Sequence, residues 1–284
     1  SQIEGLVSLW QNIKTDYTKD IFGQEMIHLA GLENIELTLD DKTLRLLPRS
    51  FFQLNTEQAI HLYDLVAQWT PKSNVLVEAY SGIGAISLFV KDQAKEIIGI
   101  ESIQDAVDNA NENAKLNNAG HVSFLCADAG KALKEIVQKK TVDTLIVDPP
   151  RSGLDDTMKE TILKSKIKTM IYVSCNPATL AKDLGVLKKE YRIVKIQPVD
   201  MFSQTPHVES VTLLVRNDDY RPRRRFDDRK DRDYKPRRRF DDKKDGDFKP
   251  RRRFDDDKPR RRFDDKKDGG FKPRRRFDDD KPRR

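Results

Sequence analysis

The chain has 284 residues, two of them cysteines, and a formal net charge of +7 that is unevenly distributed. Residues 217–284 hold 30 of the 54 Lys and Arg residues but 19 of the 47 Asp and Glu residues, so residues 1–216 are net negative. Its apolar runs are far shorter than the roughly 20 residues that cross a bilayer, and its first residues do not form a signal peptide. Two cysteines exclude a cysteine-ligated metal or iron–sulfur cluster built by this chain alone. We therefore expect a cytoplasmic protein with no membrane association.

Residues 1–50 read as the end of a β-rich domain whose beginning lies outside the chain. Within them, residues 34–47 predict a hairpin that turns at Asp40 and Asp41. An extended segment then leads into a helix predicted over Thr56–Trp69, with Thr56 as its cap.

From residue 74 the chain alternates short apolar strands with helices, which predicts a parallel sheet covered by helices on both faces. The last two strands, Tyr191–Val199 and Ser210–Val215, are joined by a loop too short for a crossover helix, so the last strand is predicted to be antiparallel. This α/β arrangement is the layout of class I, Rossmann-like methyltransferases, and we assign it to residues 51–216. The preceding predicted strands are Val75–Ala79, Glu96–Ile100, Val122–Cys126, Val142–Val147 and Thr169–Val173, and the predicted helices are Ile83–Lys91, Gln104–Leu116 and Ala178–Leu187.

Residues 217–284 are of low complexity and contain no Leu, Ile or Val, so we predict that they are disordered. Clustered arginines with an interleaved Phe suit phosphate contact and base stacking in single-stranded RNA. The Asp pairs instead suit a solubilising tail. We expect weak RNA affinity from this segment. The repeat Arg-Arg-Arg-Phe-Asp-Asp begins at Arg223, Arg237, Arg251, Arg260 and Arg274.

Three features at the carboxyl ends of the predicted strands indicate a nucleotide site. The loop Ser81-Gly82-Ile83-Gly84 follows the first strand, and its Gly82 and Gly84 permit close backbone approach to a ligand. Glu101 ends the second strand, where a carboxylate can bind both hydroxyls of a ribose. Asp128 follows the third strand, where such folds contact an adenine. Helix capping is the simpler alternative for Glu101 and Asp128.

A second group of side chains indicates covalent catalysis at the same edge. Asp148-Pro149-Pro150-Arg151 ends the fourth strand, and the proline holds Asp148 extended. Cys175 lies on a strand-to-helix turn, where the helix N-terminus favours a thiolate, although a buried structural cysteine is the alternative. Glu209 opens the antiparallel strand and reaches the same edge. A cysteine and a carboxylate at one site suggest covalent addition followed by proton removal. We interpret His207 as a loop residue and Cys126 as a core residue on an inner strand.

Several stretches resemble those of the RNA (uracil-5-)-methyltransferases, which make 5-methyluridine in bacterial tRNA and 23S rRNA. The resemblance covers about residues 5–216. It rests on Phe51–Asn55, Ser81–Gly84, Asp148–Arg151, Tyr172–Leu180 and His207–Val211.

The resemblance implies a mechanism. Cys175 would attack C6 of uracil, C5 would accept the methyl group of S-adenosyl-L-methionine, and Glu209 would remove the C5 proton. Asp148 would position the base or the cofactor methyl group. The base must leave its stack to reach such a site. The implied partner is RNA, with 23S rRNA favoured over tRNA, and the implied state is a monomer. Three residues would line the cofactor site: Gln53, Tyr80 and Glu101.

Two departures from the family pattern are visible. Its members usually begin with a small RNA-binding β-barrel and often carry a four-cysteine iron–sulfur cluster, so we expect this chain to correspond to the C-terminal part of such an enzyme. Tyr80-Ser81 also stands where many relatives have Phe-Cys.

Three other readings stay open at this point. An RNA cytosine-5 methyltransferase would carry a cysteine after the proline of the fourth-strand motif, where this chain has Arg151. An amino-group methyltransferase can share Asp-Pro-Pro but needs no nucleophilic cysteine. A non-catalytic RNA-binding protein could carry a truncated methyltransferase domain beside its basic tail.

Overall fold

The computed structural model describes residues 3–15, 17, 21–23 and 25–217. The predictions for the repeat segment after residue 217 lie outside the described residues. No helix of the described residues is long and apolar enough to cross a membrane. The strands are β1 (Ser8–Ile13), β2 (Glu25–Gly31), β3 (Ile35–Leu39), β4 (Lys42–Leu46), β5 (Ser73–Ala79), β6 (Ala94–Glu101), β7 (Val122–Cys126), β8 (Thr144–Val147), β9 (Thr169–Ser174), β10 (Tyr191–Val199) and β11 (Glu209–Arg216). The helices are α1 (Thr56–Trp69), α2 (Ala85–Phe89), α3 (Gln104–Leu116), α4 (Ala129–Lys139), α5 (Asp156–Lys164) and α6 (Pro177–Leu187).

Seven strands form the main sheet in the order β10-β11-β9-β8-β5-β6-β7. Strands β5 to β9 pair in parallel, and β11 is antiparallel to both β9 and β10. The predicted class I fold with an antiparallel last strand is therefore confirmed. Our expectation for Cys126 is wrong: the strand order reverses at β5, β7 becomes the edge strand, and Cys126 is exposed.

Two apolar layers cover the sheet because successive side chains of a strand point to opposite faces. Leu76 and Ile146 pack into the layer that includes α1, α2 and α3, whereas Val77 and Leu145 pack into the layer that includes α4, α5 and α6. All four side chains are fully buried, and each such burial contributes about 1.5–3 kcal/mol. Burial on both faces explains why β8 is a continuous apolar run without alternation.

The described residues before α1 form two separate hairpins, β1–β2 and β3–β4. The predicted turn of the second hairpin is confirmed, with Asp40 in a left-handed conformation at φ +52°. The α1 cap is Asn55 rather than Thr56, because the Asn55 side chain accepts the N–H of Gln58. Helix α2 is shorter than predicted, since Gly84 at φ +81° cannot continue into it as a regular helical residue.

Candidate active site

Cys175 and Glu209 come together because strands β9 and β11 are antiparallel neighbours. Ser210 lies opposite Ser174, and its Oγ donates to Ser174 O at 3.3 Å. Cys175 therefore leaves one strand at the level where Glu209 begins the other. Glu209 is buried and Cys175 is half-buried. The structure thus places the predicted nucleophile and the predicted base at one edge of the sheet.

The turn that carries Cys175 is held by its neighbours. Ser174 Oγ accepts the N–H of Asn176 at 3.2 Å. Asn176 in turn caps α6, its Oδ1 accepting the N–H of Ala178 at 3.1 Å. Asn176 Nδ2 donates to Arg151 O at 3.2 Å. The residue beside the cysteine therefore also fixes the loop that follows β8.

The surroundings of Cys175 raise the pKa of its thiol. Burial is the largest cause, and the carboxyl groups of Glu209 and Asp148 add to it, because a neighbouring negative charge disfavours a thiolate. Arg151 acts in the opposite direction. The lowered pKa predicted from the sequence is therefore wrong for the protein without substrate.

The N-terminus of α6 offers Cys175 few free N–H groups that could lower the pKa of its thiol. Its first residue, Pro177, has no N–H to offer. The next N–H, from Ala178, is already donated to Asn176. The helix end near Cys175 thus presents fewer free N–H groups than the strand-to-helix pattern predicts.

Asp148 and Glu209 form a pair of partly desolvated carboxyl groups. The backbone N–H of Asp148 donates to Ala79 O at 3.4 Å, which places it beside the end of β5. Burial, and then the charge of Glu209, raise the pKa of Asp148 to about 7. Burial also raises the pKa of Glu209, and Arg151 partly opposes that shift. A carboxyl group with a pKa near 7, such as that of Asp148, can exchange protons near neutral pH.

Arg151 supplies positive charge at the site and is held by His207. Arg151 Nη2 lies 3.1 Å from His207 Nδ1. Because a guanidinium group only donates, Nδ1 is the acceptor in this contact. His207 lies on the exposed loop before β11, as interpreted from the sequence, and this contact gives it a defined partner.

The raised pKa of Asp148 predicts a dependence of stability on pH. The unfolded carboxyl ionises near pH 4 whereas the folded one stays neutral to about pH 7, so the wild-type protein loses stability as pH rises through that interval. Asp148→Asn removes this loss. Relative to the wild type, the variant should gain about 4 kcal/mol in free energy of unfolding between pH 4 and pH 8, at about 1.4 kcal/mol for each unit of pKa shift.

Urea titrations at both pH values would measure that difference. Asp92→Asn removes an exposed carboxylate and serves as the control. A stability difference between Asp148→Asn and wild type that stays constant with pH would contradict the raised pKa.

The loop between β5 and α2 has an open and strained backbone. Tyr80, Gly82 and Gly84 all have positive φ, at +65°, +51° and +81°, and strain at a non-glycine residue such as Tyr80 is concentrated at functional sites. A Cβ at Gly84 would lie 2.5 Å from the Phe124 ring, whereas a Cβ at Gly82 would meet no atom within 4 Å. Gly84 is thus required for packing, and the backbone at Gly82 is open to a ligand.

The polar groups around this loop fit an adenosine-containing cofactor. Gly82 N–H donates to Glu101 Oε2 at 3.0 Å, and Glu101 Oε1 accepts the N–H groups of Ser102 and Ile103. A carboxylate oxygen can accept more than one bond, so Glu101 can still accept from ribose hydroxyls. The hydroxyl of Ser81 is buried without a hydrogen-bond partner among the described residues.

The other predicted cofactor residues differ in how they are placed. Asp128 reaches the predicted edge but is exposed, and its Oδ1 caps α4 by accepting the N–H of Lys131. Burial, and then the Asp155 carboxyl, raise the pKa of Tyr80, whose ring packs beside the second apolar layer. Gln53 is half-buried in the loop before α1, and Asn55 Nδ2 anchors that loop to Met201 O at 3.2 Å.

Two buried carboxyl groups near the site were missed from the sequence. Glu78 is 1% exposed, accepts a hydrogen bond from Ser87 Oγ, and has its pKa raised to about 8, chiefly by burial. Asp183 Oδ2 accepts from Leu154 N and from Tyr172 Oη, both at 2.8 Å. A charged residue inside an apolar strand was the available signal for Glu78, whereas Asp183 lies in an ordinary helical pattern.

Comparison with known proteins assigns the described fold to a family. A family model described as tRNA (uracil-5-)-methyltransferase matches residues 18–217. An uncharacterised RNA methyltransferase of Halalkalibacterium halodurans is 44% identical over 220 residues, covering 76% of this chain and 47% of that protein. One from Lactobacillus johnsonii is 41% identical over 218 residues, with 75% and 47% coverage. The chain spans about half the length of these curated relatives.

A solved structure extends this similarity to three dimensions. The tRNA (uracil-54, C5)-methyltransferase of Pyrococcus abyssi, in complex with S-adenosyl-L-homocysteine, superposes with a TM-score of 0.65 and is 34% identical, covering 73% of this chain and 50% of that chain. The tRNA m1G37 methyltransferase of M. jannaschii, 16% identical with a TM-score of 0.52 over 68% of this chain and 60% of that chain, shares the fold.

Proposed function

This chain belongs to the tRNA (uracil-5-)-methyltransferase family, and on that premise we propose that it transfers a methyl group from S-adenosyl-L-methionine to C5 of a uridine in RNA. The observation that carries the proposal is the placement of Cys175 beside Glu209 at the end of two adjacent strands. Two further charged groups act on this pair. Arg151 affects the pKa of both Cys175 and Glu209, and Asp148 interacts with both of them as well.

Cys175 acts as the nucleophile in this proposal. An electron pair of its sulfur forms a bond to uracil C6, and the π electrons of the C5–C6 double bond move onto C5 and the adjoining carbonyl. The thiol gives its proton to solvent before this bond forms, so the attacking species is the thiolate. Arg151 is the described charge that favours the thiolate, and it opposes the two carboxyl groups that disfavour it. Exclusion of water and approach of the RNA complete the site.

After C5 has bonded to the methyl group, Glu209 accepts the hydrogen that C5 still carries as a proton. The electrons of that C–H bond restore the C5–C6 double bond, and the sulfur of Cys175 leaves with the electrons of its bond to C6. A buried carboxylate suits this step because burial raises the pKa of Glu209 and makes it a stronger base. Asp148, beside the end of β5, lies where it can position the base or the incoming methyl group.

The residues that would hold the cofactor are Gly82, Gly84 and Glu101, with Tyr80, Gln53 and Asp128 at the margins. When bound, S-adenosyl-L-methionine supplies an electrophilic methyl group to the activated C5. Glu101 would accept hydrogen bonds from the ribose, and the open backbone at Gly82 would allow close approach. The solved relative from Pyrococcus abyssi, in complex with S-adenosyl-L-homocysteine, supports this assignment.

The proposal also names the class of RNA that is methylated. From the sequence we favour a uridine of 23S rRNA over one of tRNA, although the solved relative acts on tRNA. The alternatives from other classes are a cytosine-5 methyltransferase and a non-catalytic RNA-binding protein. Arg151 stands where the cytosine enzymes carry their cysteine, and the Cys175–Glu209 placement favours catalysis over binding alone.

Nucleoside analysis tests the proposed function directly. The full chain would be incubated with methyl-labelled cofactor and with unmodified 23S rRNA or tRNA, and the digested nucleosides would be identified by mass spectrometry. We expect label in 5-methyluridine and more of it from rRNA. Label in 5-methylcytidine or in an N-methylated base would refute the assigned reaction. Label from tRNA alone would refute the favoured RNA, and the absence of any label would favour the binding protein.

A further inference from the structure

Helix α3 presents a row of buried asparagines to the β3–β4 hairpin. Asn109, Asn113 and Asn117 are four residues apart, so they share one face of the helix, and they are only 1%, 0% and 8% exposed. A buried amide must find hydrogen-bond partners or cost free energy. These three find many of theirs on the backbone of β4.

The asparagine amides bond to β4 as a neighbouring strand would. Asn117 accepts the N–H of Thr43 at 3.0 Å and donates to Thr43 O at 2.7 Å. Asn113 accepts the N–H of Arg45 at 2.7 Å, and Asn109 donates to Arg45 O at 2.8 Å. Thr43 and Arg45 are two residues apart and so expose their backbone groups on the same edge of the strand. The hairpin is thereby joined to the methyltransferase sheet through a helix.

Asn113 makes one additional contact that the others do not. Its Nδ2 donates to Arg45 O at 3.3 Å and also to Ile83 O at 3.2 Å. Ile83 is the residue between Gly82 and Gly84 in the cofactor loop. Among the described residues, the side chain of Asn109 bonds to Ser50 and β4, and that of Asn117 to β4 and its own helix, so neither bonds to this loop.

The cofactor loop has one turn bond of its own, from Gly84 N–H to Ser81 O at 2.8 Å, and its other contacts come from outside. Glycine backbones at Gly82 and Gly84 have many accessible conformations, so sequence-local preferences do not fix their positive φ values. Glu101 holds Gly82 N–H from the β6 side, and Asn113 holds Ile83 O from the α3 side. Without Asn113, a buried carbonyl in the loop would lose its partner, which the loop could regain only by changing its conformation.

We propose that Asn113 is a positioning residue that fixes the cofactor loop and couples its conformation to the β3–β4 hairpin. The inference rests on the proposed function in that the ligand of this loop is taken to be S-adenosyl-L-methionine. Asn113 would then affect cofactor binding although it is remote from the reacting atoms. The β3–β4 hairpin would contribute to cofactor affinity as well as to stability.

Asn117→Ala is the matched control, because Asn117 bonds to the same strand from the same helix face. Calorimetric titration of the full chain with S-adenosyl-L-homocysteine would compare it with Asn113→Ala. We expect Asn113→Ala to weaken binding about tenfold, corresponding to one buried hydrogen bond, and Asn117→Ala to change binding less than twofold, while both lower the melting temperature. In assays of methyl transfer, Asn113→Ala should raise KM for the cofactor and leave kcat at saturation within about threefold.

The outcomes separate this inference from the proposed function. Unchanged affinity in Asn113→Ala, or equal weakening in both variants, would overturn the positioning role. A wild-type chain that does not bind S-adenosyl-L-homocysteine would refute the proposed cofactor and this inference with it. Should Asn113→Ala fail to fold, Asn113→Asp keeps the acceptor for Arg45 N–H and removes the amide N–H donated to Ile83. Normal cofactor affinity in that variant would equally overturn the role.

Discussion

Replacing Cys175 with alanine is expected to abolish both methyl transfer and covalent capture of RNA. The residue supplies the only electron pair by which the proposed mechanism activates uracil C5, so kcat should fall by at least about 10⁴-fold, as for other removed nucleophiles. RNA containing 5-fluorouridine gives the sharpest readout, because fluorine cannot leave C5 as a proton. The wild-type chain, with cofactor, should accumulate an adduct that survives denaturing electrophoresis, and Cys175→Ala should form none.

Cys126→Ala is the matched control for that experiment. Cys126 is the only other cysteine of the chain, and it is exposed on the edge strand β7. Its replacement should leave adduct formation and turnover within about threefold. Equal adduct from Cys175→Ala, or a cross-linked peptide that lacks Cys175, would assign the nucleophile elsewhere and remove the basis of the proposed reaction.

Much of the fold was predictable because its elements are separated by strong local signals. Apolar strands such as β8 and β9 are short, continuous and followed by helical segments, so the parallel sheet could be inferred from period and spacing. The short β10–β11 connection required the antiparallel strand. The edge position of β7 could not be inferred, because an apolar strand gives no sign of which neighbour it will have.

The placement of Cys175, Asp148 and Glu209 at one edge was also predictable, because strand direction determines which residues meet. The electrostatics of Cys175 were not. A helix N-terminus predicts a stabilised thiolate, but that effect depends on whether its N–H groups are free and on which charges face it. The nearest N–H groups are missing at Pro177 or already bonded to Asn176, and two carboxyl groups outweigh Arg151.

Asn113 shows a further limit of sequence reasoning. The spacing of Asn109, Asn113 and Asn117 marks one face of α3, but asparagine on a helix is commonly a solvent-exposed residue. Its function depends on the hairpin that packs there and on a loop carbonyl 30 residues upstream. Such contacts are long-range, and composition or periodicity carries no trace of them.

The electrostatic balance at the site has a mechanistic consequence. Before RNA binds, burial raises the pKa of Cys175, Asp148 and Glu209, and Arg151 alone opposes this among the charges acting on Cys175. The Cys175 thiol must therefore give up its proton when uracil enters. A thiol that stays neutral in the free protein is also less open to oxidation than an exposed thiolate. Its activation would then be reserved for the RNA-bound state.

Replacing Glu209 with glutamine should separate methyl transfer from release. The amide preserves the shape of the side chain but cannot accept the C5 proton, so addition and methyl transfer can proceed while Cys175 remains bonded to C6. Multiple turnover should fall about 10²- to 10⁴-fold, the usual contribution of a general base. A methylated protein–RNA adduct should accumulate on ordinary uridine RNA, and its intact mass should include one added methyl group.

Glu190→Gln provides the comparison. Glu190 forms an ion pair at 3.1 Å with Arg216, which lies at the other end of β11 from Glu209. This variant should turn over at nearly the wild-type rate and accumulate no adduct. Prompt release of methylated RNA by Glu209→Gln would show that another group removes the proton. Asp148, with its pKa raised to about 7 and its charge felt by Cys175, would then be the base to test. Accumulation of the methylated adduct in Glu209→Gln would instead assign the removal of the C5 proton to Glu209.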